Sequence, residues 1–278
     1  MVPGEYEEFM QKSECQHFEE DIACVHETLG QMAVDMGLQV YRQGINEYRH
    51  QNKGNTYTNK DRAILLKEAI AMASVSSGDF FDNPVHDILI VGPGLEEVHP
   101  EWGVVVPRQS YEPFAVTEAA VKFGQANADD LRVDLVDINP RVVTYFSELI
   151  AAAKDGVAHP VFWSETPTDV SPSTLRQFHV SAGDIISDAL APEEKYDWIV
   201  MMNTFMYFND TEKLLAAENI ARMLKPGGML FTDLDPAFLP THIPDTCGSS
   251  SASALQSQIV VGHDNIPYPV VIYRKSAD

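Results

Sequence analysis

The run Asp87-Ile-Leu-Ile-Val-Gly-Pro-Gly-Leu-Glu-Glu97 constrains this chain more than any other stretch. Ile88 to Val91 is an apolar run that reads as a buried parallel strand, and the glycine turn after it is how such a strand delivers backbone to a ligand. Gly92 and Gly94 carry no Cβ, so they can take positive φ and let a bound molecule lie against their amides. The same residues also fit a plain tight turn, so the reading depends on the strands and helices downstream of Glu97.

The 278 residues suffice for one large α/β domain or a main domain with an appendage, and 45% apolar content suits a packed core. No apolar run approaches the roughly 20 residues of a membrane helix, and the acidic start (Glu5, Glu7, Glu8) lacks the basic flank of a signal peptide. Cys15, Cys24 and Cys247 make no regular framework, which suits a reducing compartment. A soluble, cytoplasmic protein with no membrane partner is expected. The formal charge of −22, from 41 acids against 19 bases, repels phosphate backbones, and no Lys/Arg cluster offsets it. Nucleic acid is therefore not an expected partner.

Taken in order, Phe18, Ile22, Val25, Leu29, Met32 and Met36 form one helical stripe, Leu38 to Tyr48 a second, and Ala63 to Met72 a third. Residues 1–82 are thus expected as a helical N-terminal cap that lines the substrate pocket or simply packs as core, and 83–278 as the main domain. Cys15, His17, Cys24 and His26 fall as short pairs on one helix, a poor way to surround a tetrahedral ion, so no metal is expected. Beyond the glycine turn, Pro113 opens a helix to Phe123, Val133–Asp137 reads as a strand ending in an acid, and Pro140 starts the next helix. A Pro/Ser/Thr-rich loop to Ser173 precedes a short strand at Phe178 that leads to Ala182-Gly-Asp184. Tyr196 to Met202 is a strand apolar on both faces with Asn203 at its end; a helix over 211–224 and a Pro226-Gly-Gly228 turn lead into Met229–Asp233. After the low-complexity run 248–253, segments 258–261 and 270–274 suit a closing hairpin. Alternating strands and helices imply an α/β, Rossmann-like, mainly parallel seven-stranded sheet with helices on both faces.

In this order the residues resemble class I S-adenosylmethionine-dependent methyltransferases over about residues 85–275, with Lys225-Pro-Gly-Gly the most family-like piece. Between 196 and 233 the sequence is locally similar to chemotaxis-receptor methyltransferases, although no basic docking helix accompanies it. The resemblance implies S-adenosylmethionine as cofactor, with Gly92, Pro93 and Gly94 beside it. It implies Asp137 on the ribose hydroxyls, Ile138 against the adenine, and Asp184 with the Ile185 amide at the adenine edge. Asn203 and Thr204 would border the methionine end. Helix N-caps are the alternative roles for Asp137 and Asp184, and a turn residue for Asn203. A dinucleotide loop would want its third glycine where Glu97 stands, which argues against a nicotinamide cofactor.

The family usually places an acid two residues before the first glycine, but Ile90 stands there. The insertion Val98–Glu112 brings Glu112 to a helix start near the cofactor, as a replacement partner for the ammonium. Tyr207 and Asn203 are the candidates for orienting the acceptor, while His86, His99, His179, His242 and His263 qualify as bases by type alone. The expected function is methyl transfer to a small molecule held between cap helices and strand ends. Two alternatives stand beside it. One is a same-fold enzyme that cyclises or transfers the aminobutyrate chain and releases methylthioadenosine; the other is a non-catalytic cofactor-binding protein.

Overall fold

The computed structural model describes residues 58, 60–76, 84–96, 108–124, 126–163, 167–188, 190–191, 194–238, 255–261 and 269–276. The two helical stripes before residue 50, the Cys15–His26 group, Glu97, His99, His242, His263 and the 248–253 run lie outside them. In chain order the elements are α1 (Lys60–Ser76), β1 (Asp87–Val91), α2 (Glu112–Phe123), β2 (Arg132–Asp137) and α3 (Pro140–Lys154). Next come β3 (His159–Val161), β4 (Thr168–Val170), α4 (Pro172–Leu175), β5 (Phe178–Ala182) and β6 (Tyr196–Met201). The last are α5 (Asp210–Met223), β7 (Leu224–Thr232), β8 (Leu255–Val261) and β9 (Val270–Lys275).

A seven-stranded sheet runs in the order β5-β2-β1-β6-β7-β9-β8. From β5 through β7 the neighbours are parallel, and β9 is antiparallel to both β7 and β8. This is the mainly parallel α/β sheet that the alternation of elements implied. Both faces are covered, and period-two alternation assigns each side chain to one of them. Ile88 and Ile90 of β1, with Trp198 and Val200 of β6, face the core shared with α1, α2 and α3. Leu89 and Val91, with Ile199 and Met201, face the core shared with α5. The apolar stripe of α1, with Leu66, Ala69, Ile70 and Ala73 fully buried, joins the first of these cores.

Two segments differ from the sequence reading. The stretch read as a loop up to Ser173 holds the antiparallel pair β3–β4, in register from His159↔Val170 to Val161↔Thr168. Three-residue strands are too short to show a period, and this pair is fastened by distant groups. The Phe162 amide donates to Gln109 Oε1 at 2.9 Å, and Trp163 packs on Tyr111 with ring centroids 5.4 Å apart. The Pro226-Gly-Gly turn lies inside β7, which begins at Leu224. There the register against β6 slips between Tyr196 and Trp198, and Gly227 at φ +76° absorbs the extra residues.

Candidate active site

The order of strands reverses between β1 and β6, because the chain leaves β1 through α2 toward β2 and later returns to lay β6 on the other side. In open α/β sheets, ligands bind beyond the carboxyl ends of strands at such a point. Gly92 follows β1, Asp137 ends β2, Asp184 follows β5, Asn203 follows β6 and Asp233 follows β7, all on this edge.

The turn after β1 is built for glycine. Gly92 and Gly94 have φ of +68° and +65°, a region that side chains rarely enter. The Gly92 amide donates to the Val136 carbonyl at 2.8 Å, and a Cβ on Gly92 would stand 2.8 Å from Thr204 Oγ1. The turn is thereby pressed between the ends of β2 and β6. Thr204 holds its own place by donating its hydroxyl to the Met202 carbonyl at 3.1 Å. The Pro93 carbonyl accepts from the buried Ser110 hydroxyl at 3.1 Å, which ties the loop to the segment before α2.

Asp137 is buried at the end of β2, where Oδ1 accepts the Asn139 amide at 2.7 Å. Asn139, and not Asp137, caps α3, accepting from the Arg141 amide at 2.9 Å. Ile138 is half-buried in the bend between them. Asp184 is buried, with its carboxylate accepting the Ile186 amide at 3.0 Å and the Ser187 hydroxyl at 2.9 Å. It organises the turn that carries Ile185, whose side chain sits in the α5-side core.

The structure adds two residues that the sequence reading did not single out as site residues. Arg62 of α1 donates Nε to Asn203 Oδ1 at 3.0 Å, and its Nη2 lies 3.5 Å from Asp233 Oδ2. Asn203 itself has φ +55°, a left-handed conformation that Asn tolerates better than most residues. Glu112, the first residue of α2, is 5% exposed, and among the described residues its Oε1 has no hydrogen-bond partner. Asp233 Oδ1 is in the same condition. Burial, and then the neighbouring Asp233 charge, push the Glu112 carboxyl well above the usual range against the pull of Arg62. Burial also raises Asp233, opposed by Arg62 and by the amides of Asp233 and Asn203.

Both additions carried a signal. Arg62 falls on the apolar stripe of α1, in step with Leu66, Ala69 and Ala73. Asp233 ends the buried run Met229–Thr232 as Asp137 ends its own. Elsewhere, Glu96 forms an antiparallel bridge with Gln109 and accepts a short hydrogen bond from the Tyr111 hydroxyl, which closes the base of the insertion. Tyr207 is 60% exposed in the 3-10 turn Phe205–Tyr207, at the rim of the edge beside Asn203. His86 and His179 are exposed on the strand segments before β1 and in β5. Among the described residues, no group of three or more His, Cys, Asp or Glu side chains could hold a metal ion. No helix among them is long and apolar enough to cross a membrane.

Residues 125–232 match the family model of a methyltransferase domain. No curated protein matches the chain in sequence. Among solved structures, a TehB-like S-adenosylmethionine-dependent methyltransferase from Corynebacterium glutamicum is 14% identical, over 87% of this chain and 100% of that one, with a TM-score of 0.43. The N-methyltransferase NodS from Bradyrhizobium japonicum, in complex with S-adenosylhomocysteine, is 16% identical over 84% and 97% of the two chains, with a TM-score of 0.43. A sarcosine dimethylglycine methyltransferase assignment from Galdieria sulphuraria is 13% identical over 84% and 99%, with a TM-score of 0.42. The matched stretch 125–232 runs from ahead of β2 to the end of β7 and takes in Asp137, Asp184 and Asn203, so this part of the chain is similar to a methyltransferase domain.

Proposed function

We propose that this chain binds S-adenosylmethionine across the ends of β5, β2, β1 and β6 and transfers its methyl group to a small molecule held over β6 and β7. One observation carries the reading: Gly92, too crowded for any side chain, lies beside Asp137, a buried carboxylate at the end of the next strand. The residues present fit the cofactor. A glycine turn gives close backbone approach, a carboxylate matches a ribose diol, and the orphaned Glu112 Oε1 matches an ammonium group. When bound, S-adenosylmethionine supplies an electrophilic methyl group on a sulfonium.

In this reading Asp137 accepts the ribose hydroxyls, Ile138 covers the adenine, and Asp184 with the Ile185 amide addresses the adenine edge. Gly92, Pro93 and Gly94 pass under the cofactor, Asn203 and Thr204 border its methionine end, and Glu112 takes its ammonium. Asn203, fixed by Arg62, and Tyr207 at the rim orient the acceptor. The chain's task is alignment and exclusion of water, because in-line displacement of a sulfonium needs no strong base when the acceptor arrives with a free lone pair. Arg62 supports a cap role for residues 1–82, since it carries α1 into the site. The charge of −22 supports a partner other than nucleic acid, and the absence of a basic docking helix supports a small acceptor.

Calorimetric titration with S-adenosylmethionine, in parallel with a reduced nicotinamide dinucleotide, tests the reading. Binding of the first alone is expected, and S-adenosylhomocysteine as the by-product of turnover. Methylthioadenosine in its place would assign chain cyclisation or aminocarboxypropyl transfer. Tight binding without turnover over a broad acceptor panel would assign a non-catalytic role, and no binding of either ligand would remove the cofactor from the reading.

A further inference from the structure

We propose that Asn219 of α5 is the positioning residue of the adenine seat, and that its side chain, acting through the turn after β5, sets how well the chain tells adenine from hypoxanthine. This role rests on the S-adenosylmethionine reading, which sets Asp184 and the Ile185 amide at the adenine edge, and deepens it. Asn219 Nδ2 donates to the Ile185 carbonyl at 2.8 Å and to the Ile186 carbonyl at 3.1 Å. Its Oδ1 accepts from Arg222 Nη2 at 3.3 Å. The surroundings thereby fix the amide's orientation: turned over, its oxygen would face two carbonyls and its nitrogen a guanidinium. One half-buried side chain thus ties the turn after β5 to a helix packed on the sheet.

Gly183 enters the turn with its amide on the Asp137 carbonyl at 3.2 Å, so the turn starts from the residue assigned to the ribose. The Asp184 amide donates to Asp188 Oδ2 at 3.0 Å, that of Ile186 to Asp184 Oδ1 at 3.0 Å, and that of Asp188 to the Asp184 carbonyl at 2.9 Å. The Ile185 amide serves none of these bonds. It shares a planar peptide with the Asp184 carbonyl, which faces the Asp188 amide, so the Ile185 N–H is directed the opposite way. The next peptide is held at both ends, its carbonyl by Asn219 and its N–H by Asp184 Oδ1. Ile185 thus lies between two fixed peptides, one of them held from outside the turn. The side chains of Ile185 and Ile186 are buried in the α5-side core, so backbone and carboxylate are what this part of the turn offers a ligand. Adenine presents an amino donor beside the N1 acceptor, the pattern that an acid and an adjacent amide match. Hypoxanthine reverses both, with a carbonyl oxygen in place of the amino group and a hydrogen on N1. An acceptor then meets an acceptor and a donor meets a donor. Rejection of that base requires the amide and the carboxylate to stay in line together, and a turn cut loose from α5 can re-aim its amide.

The test is calorimetry on the full chain with S-adenosylhomocysteine and with S-inosylhomocysteine, which differs only in carrying hypoxanthine. Wild type should bind the first about ten-fold or more better. Asn219→Ala should weaken S-adenosylhomocysteine about five-fold to ten-fold and change S-inosylhomocysteine by less than about two-fold, which brings the two affinities together. Arg222→Met removes the clamp on Asn219 but keeps its donors, and should move the ratio the same way by about three-fold. It carries the test should Asn219→Ala fail to fold. A residue that served the fold alone would lower stability and weaken both ligands alike, and that result overturns the role. So does a wild-type preference for adenine that persists in Asn219→Ala, or in Arg222→Met where that is the variant that folds. Equal binding of both ligands to wild type removes the adenine edge from Asp184 and Ile185, and the role of Asn219 with it. Failure of the cofactor reading looks different, because neither ligand then binds wild type at all.

Discussion

Arg62 Nε donates to Asn203 Oδ1 at 3.0 Å, joining residues 141 positions apart in the chain. The contact fixes a left-handed Asn at the end of β6 with a guanidinium from a helix outside the βα repeat, and the same guanidinium lies 3.5 Å from Asp233. The helix that precedes the sheet therefore contributes to the site itself.

Removing that guanidinium strands its partners. Arg62→Gln leaves the buried Asp233 carboxylate without its counter-charge, and breaking a buried pair from one side costs about 3 to 5 kcal/mol. Arg62→Lys keeps the charge but not the fork that serves both Asn203 and Asp233, so an intermediate loss is expected. Urea denaturation of the three proteins measures this. A loss below about 1 kcal/mol for Arg62→Gln would show that Asp233 becomes solvated or protonated at little cost.

The two polar networks make opposite pH predictions. Glu112 titrates higher in the folded chain than its ordinary value of 4.5, chiefly through burial, so the folded state holds its proton more tightly. The stability it contributes is fully present below the unfolded value and is lost as pH rises through the folded one. Asp233 has the same sign, and Arg62 opposes both. Asp134 behaves in reverse. Burial raises it, but hydrogen bonds from Lys195, Tyr196 and Arg132 outweigh burial and set it below its ordinary 3.8. Its contribution is present above the unfolded value and is lost as pH falls through the folded one. Unfolding free energies measured from acid to mildly alkaline pH should thus decline less steeply toward high pH in Glu112→Gln than in wild type. Parallel curves would mean that Glu112 is not protonated in the folded chain.

The sheet was legible because its signals are local. The unbroken apolar runs of β1 and β6, buried on both faces, the acid closing β2 and the glycine turn all lie within a few residues of what they report. The hairpin β3–β4 was not legible, because Gln109 and Tyr111 pin it from about 50 residues upstream and its strands are too short for a period. At the site, Gly92, Asp137 and Asn203 stand on the expected edge, since strand ends are readable from sequence. The Arg62–Asn203–Asp233 contacts were not readable, since they depend on where α1 docks. A charged residue inside an apolar helical stripe is the trace that such docking leaves.

Gly92→Ala tests the turn. Alanine would meet both a φ of +68° and the Thr204 hydroxyl at 2.8 Å, so a destabilisation of about 1 to 3 kcal/mol is expected. The double change Gly92→Ala with Thr204→Ala removes the crowding and keeps the backbone strain. If thermal denaturation shows it no more stable than the single variant, close approach contributes nothing and φ alone demands the glycine.

Asp137 has a structural duty as well as the proposed ribose contact, and two variants separate them. The Asn139 amide donates to its Oδ1 at 2.7 Å, so Asp137→Ala should lose about 1 kcal/mol of stability from the turn ahead of α3. It should also lose about 2 to 3 kcal/mol of binding free energy, or roughly 30-fold to 150-fold in affinity for S-adenosylmethionine. Asp137→Asn keeps an acceptor for the Asn139 amide but gives up the charge and one of the two acceptor oxygens that a diol requires. Its stability should stay near that of wild type while its affinity falls almost as far as in the alanine variant. Calorimetric titration of both variants, with denaturation curves beside it, decides the assignment. If Asp137→Asn binds S-adenosylmethionine as wild type does, the carboxylate serves the turn, and the ribose is held elsewhere.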